Sequence, residues 1–423
     1  MIPFSGWDSD RRTFLSIRAG EIMREPRPVN RVEISEKNQK LRIVAAVLLL
    51  VIGAIGITAG IMGLLHKETG WQRVQLTTQE RSCSESFILQ YNFSGSGAEA
   101  TAINSKIQTA YGEACVKAYR LFTPDEEIAG VNNIYHINRH PNEEITVDPV
   151  LYAAFEKLAD TRWLYLGPVY AHYNQIIYNT GEEFIDELDP LENGEIADYL
   201  LSTTGYAMDP QMVKLELLGD NRIILRVNEA YLAYAEEAEM ERNFIDFSYM
   251  TNAFVIDYLA ETLIAENLTE GYLVSADGFT RNLDSKHLFS FNIFDRVGNT
   301  VYPAAVMNYH GPISIVYLKD YPTAASDVNY RENGDRFVHL FADPVDGIYR
   351  TSEENLVSYS YDKGCADVLL EMLPGFVGSD FAVPSDVFSV WCEGEAVCYN
   401  DGSVTMKNLL QSEEMSYHAV LKQ

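Results

Sequence analysis

Two acidic side chains near the C-terminal end of the sequence have the spacing of metal ligands on a helix. Asp367 and Glu371 lie four residues apart in GCADVLLEML, whose apolar pattern predicts a helix over 364–373. That spacing puts both carboxylates on one helix face. Magnesium and calcium prefer carboxylates and other oxygen ligands. A solvated acidic face explains the pair equally well, because such cation sites need several convergent oxygens.

Two histidines form a second candidate metal pair. His136 and His140 are four residues apart, and Glu143 and Glu144 follow them. On a helix this spacing could hold a metal ion. Pro141 and the neighbouring asparagines predict a loop instead, so metal binding is disfavoured at this position.

The cysteines allow a disulfide but show no metal or redox motif. Cys392 and Cys398 flank a turn sequence, CEGEAVC, and could bridge a predicted hairpin over 387–399. The chain has five cysteines, so at least one thiol is free or pairs elsewhere. No CxxC motif occurs, which argues against a zinc ribbon and a thioredoxin-type site.

Helical and strand patterns alternate in the segments that would position these side chains. Asp148 followed by Pro149 is a helix start, with an N-cap and a proline at the first helical position. The sequence VKLELLGDNRIILRV alternates around a GDN turn and predicts a hairpin over 213–227. Further helices are predicted over 104–120, 228–243 and 249–266. Further strands are predicted over 85–92, 244–247, 272–276, 288–293, 313–318, 337–341 and 356–360.

The composition is that of a globular protein. Hydrophobic residues make up 47% of the 423 residues and charged residues 22%. The formal net charge of −29 argues against nucleic-acid binding, which needs a cationic face. No repeat or linker divides 81–410, so we expect one α+β domain there. A polar stalk is predicted over 66–80 and a tail over 411–423.

A single transmembrane helix is predicted before this domain. Residues 43–65 carry no charge, and about 20 apolar residues span a bilayer. Residues 1–42 contain nine basic and six acidic residues, a net charge of +3, which leaves −32 for the region after the span. The positive-inside rule then predicts a cytoplasmic, disordered N-terminal tail and an extracytoplasmic domain at the cell membrane.

One segment carries the most specific pattern in the chain. FIDFSYMTNAFVID has Asp246, then Ser248 and Tyr249, then Asn252, and ends at Asp257. It resembles the signature D-L-G-G-I-A-K-G-Y-A-V-D of the FAD:protein FMN transferase family, also called the ApbE or thiamine-biosynthesis lipoprotein family. Ser248 and Tyr249 stand in place of the two glycines, and Asn252 stands in place of the lysine.

Other segments resemble further motifs of the same family in the same order. LFTPDEEIAGVNN matches an early element that includes Asn132, and SADGF matches a strand end from Ser275 to Gly278. ASDVNYRENGDRFVHLFADPVDG matches a later element that includes His339, and GCADVLLEML matches the last one. The resemblance covers about residues 84–400. It implies flavin-binding residues Asn132, Asp246, Tyr249, Asn252, Ser275, Gly278 and His339, with Asp367 and Glu371 as metal ligands.

The resemblance implies a function with two alternatives. The family binds FAD with Mg²⁺ and transfers FMN to a Thr or Ser hydroxyl of an extracytoplasmic acceptor flavoprotein. This chain would then be a membrane-anchored transferase, with the catalytic residues unassigned. The lost glycines and lysine favour the alternative, a catalytically degenerate member whose ectodomain binds a ligand or a protein. A third hypothesis is an unrelated acidic ectodomain with chance matches.

Overall fold

The computed structural model describes residues 68–77, 80–298, 300–324, 327–409 and 417–422. The predicted cytoplasmic tail over 1–42 and the predicted membrane span over 43–65 lie outside these residues. Within the described ranges, the structure has no helix that is long and apolar enough to cross a membrane. The described residues belong to one compact unit, Leu65–Gln423.

The helices begin where the sequence supplies capping residues. The longest helix starts with a capping box, in which the side chains of Ser96 and Glu99 each accept from the other residue's backbone amide. The helix after Asp148 begins at Pro149, as predicted. The helices are α1 (Gly97–Phe122), α2 (Ile134–Arg139), α3 (Pro149–Leu158), α4 (Gly167–Asn174), α5 (Ile185–Leu188), α6 (Gly194–Met208), α7 (Glu229–Glu237), α8 (Thr251–Ala265) and α9 (Cys365–Phe376).

Most strands of the described chain follow α7. The strands before α7 are β1 (Gly70–Val74), β2 (Phe87–Phe93), β3 (Glu144–Thr146), β4 (Val213–Gly219) and β5 (Arg222–Val227). The strands after α7 are β6 (Gly271–Ser275), β7 (Phe279–Asn282), β8 (Leu288–Val297), β9 (Thr300–His310), β10 (Ile313–Lys319), β11 (Arg331–Asn333), β12 (Arg336–Val338), β13 (Asn355–Ser360), β14 (Phe388–Glu393), β15 (Ala396–Tyr399), β16 (Thr405–Asn408) and β17 (His418–Leu421).

A nine-stranded sheet in the order β1-β2-β6-β7-β10-β13-β14-β15-β17 organises the fold. Its neighbouring strands are antiparallel, except for the parallel pair of β15 and β17. Helices α1, α8 and α9 pack on one face, where the larger hydrophobic core lies. The small sheet β16-β9-β8 packs on the other face around a second core. The predicted α+β class is confirmed.

Several predicted elements are present with shifted ends. The predicted hairpin over 213–227 is the pair β4 and β5, and the closing hairpin is the pair β14 and β15. The helices predicted over 104–120, 249–266 and 364–373 are α1, α8 and α9. The helix predicted over 228–243 ends early, at Glu237.

The predicted stalk and tail differ from the structure. Part of the stalk is β1, which pairs with β2 and buries Val74. Part of the tail is β17, which pairs with β15. Just before it, the buried Tyr417 donates a hydrogen bond to Asp295 over 2.6 Å. Short edge strands direct few side chains inward, so their sequences carry a weak apolar pattern.

The predicted disulfide is absent. Cys392 lies opposite Val397 in the β14–β15 ladder, and Cys398 lies opposite Trp391. Because directly opposed residues share a face and successive residues alternate, the two thiols lie on opposite faces of the sheet. All five cysteines are free.

The histidine pair also differs from the prediction. His136 and His140 lie on and just after the short helix α2, in place of the predicted loop. Their rings stack with centroids 4.0 Å apart, and the His140 Nδ1 lies 2.9 Å from the His136 carbonyl oxygen. No group of three or more His, Cys, Asp or Glu side chains able to hold a metal occurs in the described ranges.

Candidate functional site

The segment before α8 is a buried loop rather than the strand predicted over 244–247. The Asn138 side chain binds both backbone groups of Ile245, donating to its carbonyl oxygen over 2.8 Å and accepting from its amide over 3.0 Å. The Asp246 amide donates to the Leu164 carbonyl over 2.9 Å. The apolar residues of this segment are buried, as they would be in a strand. Its backbone hydrogen bonds, however, go to a side chain and to a helical turn instead of to a neighbouring strand.

Asp246 organises the turn that leads into α8. Its carboxylate accepts from the Ser248 amide over 2.8 Å and from the Asn243 side chain over 3.2 Å. Burial raises the pKa of Asp246 to about 6, although both donors oppose the shift. Ser248 has a φ of +47°, a left-handed conformation that favours glycine. This residue stands at a glycine position of the motif that it resembles, and it keeps a glycine-like backbone.

A second turn, after β6, presents Asp277 to Asn252. The Asn252 side chain donates to one carboxylate oxygen of Asp277, and the Asn329 side chain donates to the other over 2.6 Å. The Tyr178 hydroxyl in turn donates to Asn329 over 2.6 Å. Burial raises the pKa of Asp277, and the two amides and Lys319 oppose that rise. Four segments that are far apart in sequence therefore share one polar network.

Ser275 and Gly278 hold the Asp277 turn in place. The Ser275 hydroxyl accepts from the Asp277 amide over 3.1 Å. Gly278 has a φ of +95° and no room for a side chain, because a Cβ there would lie well under 3.0 Å from the Tyr317 carbonyl oxygen. The Tyr317 amide donates to the Gly278 carbonyl over 2.9 Å. Both predicted residues therefore position Asp277 through the backbone.

These two turns form one wall of a cleft of about 460 Å³. The opposite wall comes from the end of α1 and the Thr123–Asp125 loop. Within the described part of the chain, every charged side chain that lines the cleft is acidic, and none is Lys or Arg. These acidic residues are Glu85, Asp125, Asp246 and Asp277. Burial, followed by the nearby acids Glu241 and Glu126, raises the pKa of Asp125.

Tyr249 occupies the position where the resembled motif has its second glycine. Its half-buried ring packs edge-on against Tyr170 and Phe341, with centroids 5.7 and 5.0 Å away. It lines the cleft on one side and a small cavity of about 50 Å³ on the other. An aromatic ring therefore stands where the family's glycine would let a ligand approach the backbone.

His339 lines that small cavity and carries no charge. Burial lowers the pKa of His339 to about 3, so the ring is neutral at ordinary pH. Its Nδ1 accepts from the Phe341 amide over 3.2 Å. Lys319 also borders the cavity, but its ammonium pairs with Asp327 over 3.1 Å. Neither residue offers an unpaired positive charge to the cleft.

Three of the predicted site residues belong neither to the two turns nor to the small cavity beside the cleft. Asn132 lines a separate cleft of about 880 Å³, and its side chain donates to the Thr146 carbonyl over 2.8 Å. Asp367 pairs with Lys157 over 2.5 Å, and Glu371 pairs with Lys363 over 3.2 Å. Each carboxylate of the predicted metal pair thus has a lysine partner, and the expected metal site is not assembled.

The site contains residues that the sequence did not single out as ligands. Asp277 and Asn329 lie within resembled motifs, and an acid before a glycine at a strand end was the available signal for Asp277. Tyr178 reaches the site from a π-helical turn, Gln175–Asn179, and had no signal at all.

The residues present do not fit an FAD diphosphate with Mg²⁺. A diphosphate needs close backbone amides and a neutralising cation. The cleft offers side chains at Ser248 and Tyr249, an amide at Asn252 and four carboxylic acids. A divalent ion would need several convergent oxygens, yet the predicted pair is engaged with lysines.

Among the comparisons with known proteins, only the comparison with solved structures found similar proteins. No family model and no curated protein matches the chain. The ApbE protein of Thermotoga maritima is similar in fold with a TM-score of 0.46 and 14% identity, over 71% of this chain and 85% of that one. A variant of the flavin transferase ApbE of Vibrio cholerae is similar with a TM-score of 0.42 and 10% identity, over 76% of this chain and 92% of that one. Both carry the name of the family that the sequence motifs resemble.

Proposed function

We propose that this protein is a flavin-transferase-like, membrane-anchored ectodomain that binds a neutral or positively charged group without transferring FMN. The observation that carries the proposal is the charge of the cleft. All charged side chains lining it in the described residues are acidic, whereas a nucleotide diphosphate requires cationic partners.

The substituted motif positions support the same proposal. Asn252 donates its side-chain amide to Asp277, where the resembled motif has a lysine. Loss of one well-placed stabiliser of transition-state charge typically costs about 10²–10³ in rate. Tyr249 adds an aromatic ring at a position where the motif has glycine. These changes affect separate requirements of flavin transfer, so their costs combine.

The anchoring part of the proposal rests on the sequence. The uncharged stretch over 43–65 follows a tail of net charge +3, and −32 lies beyond it. This asymmetry supports a cytoplasmic N-terminus and an extracytoplasmic domain at the cell membrane. The bound group would then be a small ligand or a basic segment of another extracytoplasmic protein.

A second candidate function is FMN transfer itself, from FAD to a Thr or Ser of an acceptor flavoprotein. The observation in its favour is convergence. Asp246 and Asn252 come from one resembled motif and His339 comes from another, yet they line one cleft and the small cavity beside it.

Restoring the missing cation separates the two candidates. The chain is incubated with FAD, Mg²⁺ and an acceptor peptide, and mass spectrometry detects an FMN adduct while calorimetry measures FAD binding. We expect no adduct with the native sequence. Asn252→Lys should strengthen FAD binding about 10-fold or more, because a hydrogen bond to a charged group contributes roughly 1.5–3 kcal/mol.

Asn132→Lys is the matched control, because it adds the same charge in the other cleft. It should leave FAD binding unchanged. An FMN adduct formed by the native sequence would establish the transferase and refute the binding proposal.

A further inference from the structure

An exposed aromatic cluster lies at the first edge of the main sheet. The Trp71 ring lies 5.8 Å from Tyr272, 5.3 Å from His287 and 5.8 Å from Phe289, measured between centroids. Trp71 is 40% exposed, and the other three rings are partly buried beside it. We call these four residues the edge patch. Clustered, partly exposed apolar rings of this kind mark interaction sites on soluble domains.

The edge patch sits at one extreme of the sheet. β1 is the outermost strand on this side, and β17 is the outermost strand on the other. At about 4.8 Å per strand, the eight intervals between them span roughly 38 Å. A partner at the edge patch therefore cannot also contact β17 unless it is large.

The sequence indicates what lies near this edge. The proposed membrane span ends at Leu65, and β1 begins at Gly70. An extended chain covers at most about 3.6 Å per residue, so five residues reach no more than roughly 18 Å. Trp71 therefore follows the bilayer exit by a short distance along the chain. This step rests on the anchoring in the proposed function.

The residue types fit a bilayer interface. Tryptophan and tyrosine are enriched at the headgroup level of membranes, because their rings are apolar and their tips are polar. A domain with a large negative charge would be repelled by an acidic surface, so local charge matters. Around the edge patch, Glu270 pairs with Lys286 over 2.5 Å. Asp284 contacts His287 over 3.0 Å.

One further positive charge lies on the same strand. Arg73 is exposed and lies two residues from Trp71, so both side chains point to the same face of β1. The local charge at this edge is thus close to balanced, in contrast to the domain as a whole.

We propose that the edge patch rests in the interfacial layer of the bilayer that anchors the chain. The patch would then contact lipid headgroups directly.

Lipid quenching of tryptophan fluorescence tests the proposal. The full chain is reconstituted in phosphatidylcholine nanodiscs in which part of the lipid carries bromine high on its acyl chains. Trp71→Phe should remove most of the quenching by these lipids. Trp391→Phe is the matched control, because Trp391 is buried on β14, and it should leave the quenching unchanged.

A gain of signal provides the second arm. In the Trp71→Phe chain, Tyr272→Trp should restore quenching, because the Tyr272 ring lies 5.8 Å from that of residue 71. Leu421→Trp should not, because Leu421 is 46% exposed on β17 at the opposite edge. Higher salt should not change either result, because the contact is apolar.

The outcomes distinguish the patch from the anchor. A chain that stays with the nanodiscs but keeps its quenching in Trp71→Phe overturns the edge-patch proposal alone. Shielding of Trp71 by a second copy of the chain, instead of by lipid, would also overturn the edge-patch proposal alone. A chain that separates from the nanodiscs on flotation overturns both the anchor and the patch.

Discussion

Gly278 links the Asp277 turn to the central strand β10, and replacing it with alanine tests how tightly the site is held. Two effects act on Gly278→Ala. The φ of +95° is unfavourable for alanine, and its Cβ would overlap the Tyr317 carbonyl oxygen. Gly130→Ala isolates the first effect, because Gly130 has a φ of +76° with nothing within 4 Å of the added Cβ.

The structure gives the expected magnitudes. The left-handed conformation costs an alanine about 1–2 kcal/mol, and the stiffer unfolded chain offsets roughly 0.4–1 kcal/mol of that. We therefore expect Gly130→Ala to lower the free energy of unfolding by about 1 kcal/mol. Gly278→Ala must also shift the Tyr317 carbonyl and weaken the 2.9 Å hydrogen bond between Tyr317 and Gly278. A disrupted buried hydrogen bond adds about 1–3 kcal/mol.

Urea unfolding followed by tryptophan fluorescence measures both variants, because the domain contains buried Trp163 and Trp391. The free energy of unfolding should fall by about 2–4 kcal/mol for Gly278→Ala. The two variants should differ by at least about 1 kcal/mol. Equal losses would show that the Tyr317 contact does not constrain the turn, and the account of Gly278 would be wrong.

Three further predictions concern charge. Burial raises the pKa of Asp246 to about 6, so the folded state holds its proton more tightly than the unfolded chain does. The contribution of Asp246 to stability is full below about pH 4 and is lost as pH rises through 6. The wild type should thus gain roughly 2 kcal/mol over Asp246→Asn between pH 7.5 and 4 in urea unfolding, and a constant difference would contradict this. Asp367→Asn breaks a pair with Lys157 that is 36–40% exposed, so it should change stability by less than about 1 kcal/mol. Millimolar Mg²⁺ should leave the melting temperature unchanged, and a rise abolished by Asp367→Asn would restore the metal prediction.

The elements predicted correctly are those whose signal is local. The Asp148–Pro149 pair fixes the start of α3, and the GDN turn fixes the register of β4 and β5, with Asp220 and Asn221 at positive φ. In both cases the residues that determine the structure lie within a few positions of each other. The strand predicted over 244–247 was wrong for the opposite reason. The backbone of this segment forms hydrogen bonds with Asn138, which is more than 100 residues away.

The candidate site was predicted in part. Asp246, Tyr249 and Asn252 belong to one contiguous motif, and all three line the same cleft. The function of these three residues could not be predicted from that motif, because it depends on which residues of other segments lie opposite them. Asp277 and Asn329 complete the network from two other segments.

The sequence by itself determined the α+β class, the order of the main elements, the division of charge between +3 and −32, and the motif around Asp246. Only the tertiary structure decided that four acids meet in one cleft and that Asp367 is neutralised by Lys157, 210 residues earlier. The physical reason is that periodicity and capping act over one or two turns of chain. The charge of a cleft is a sum over distant segments that meet only after the sheet has formed.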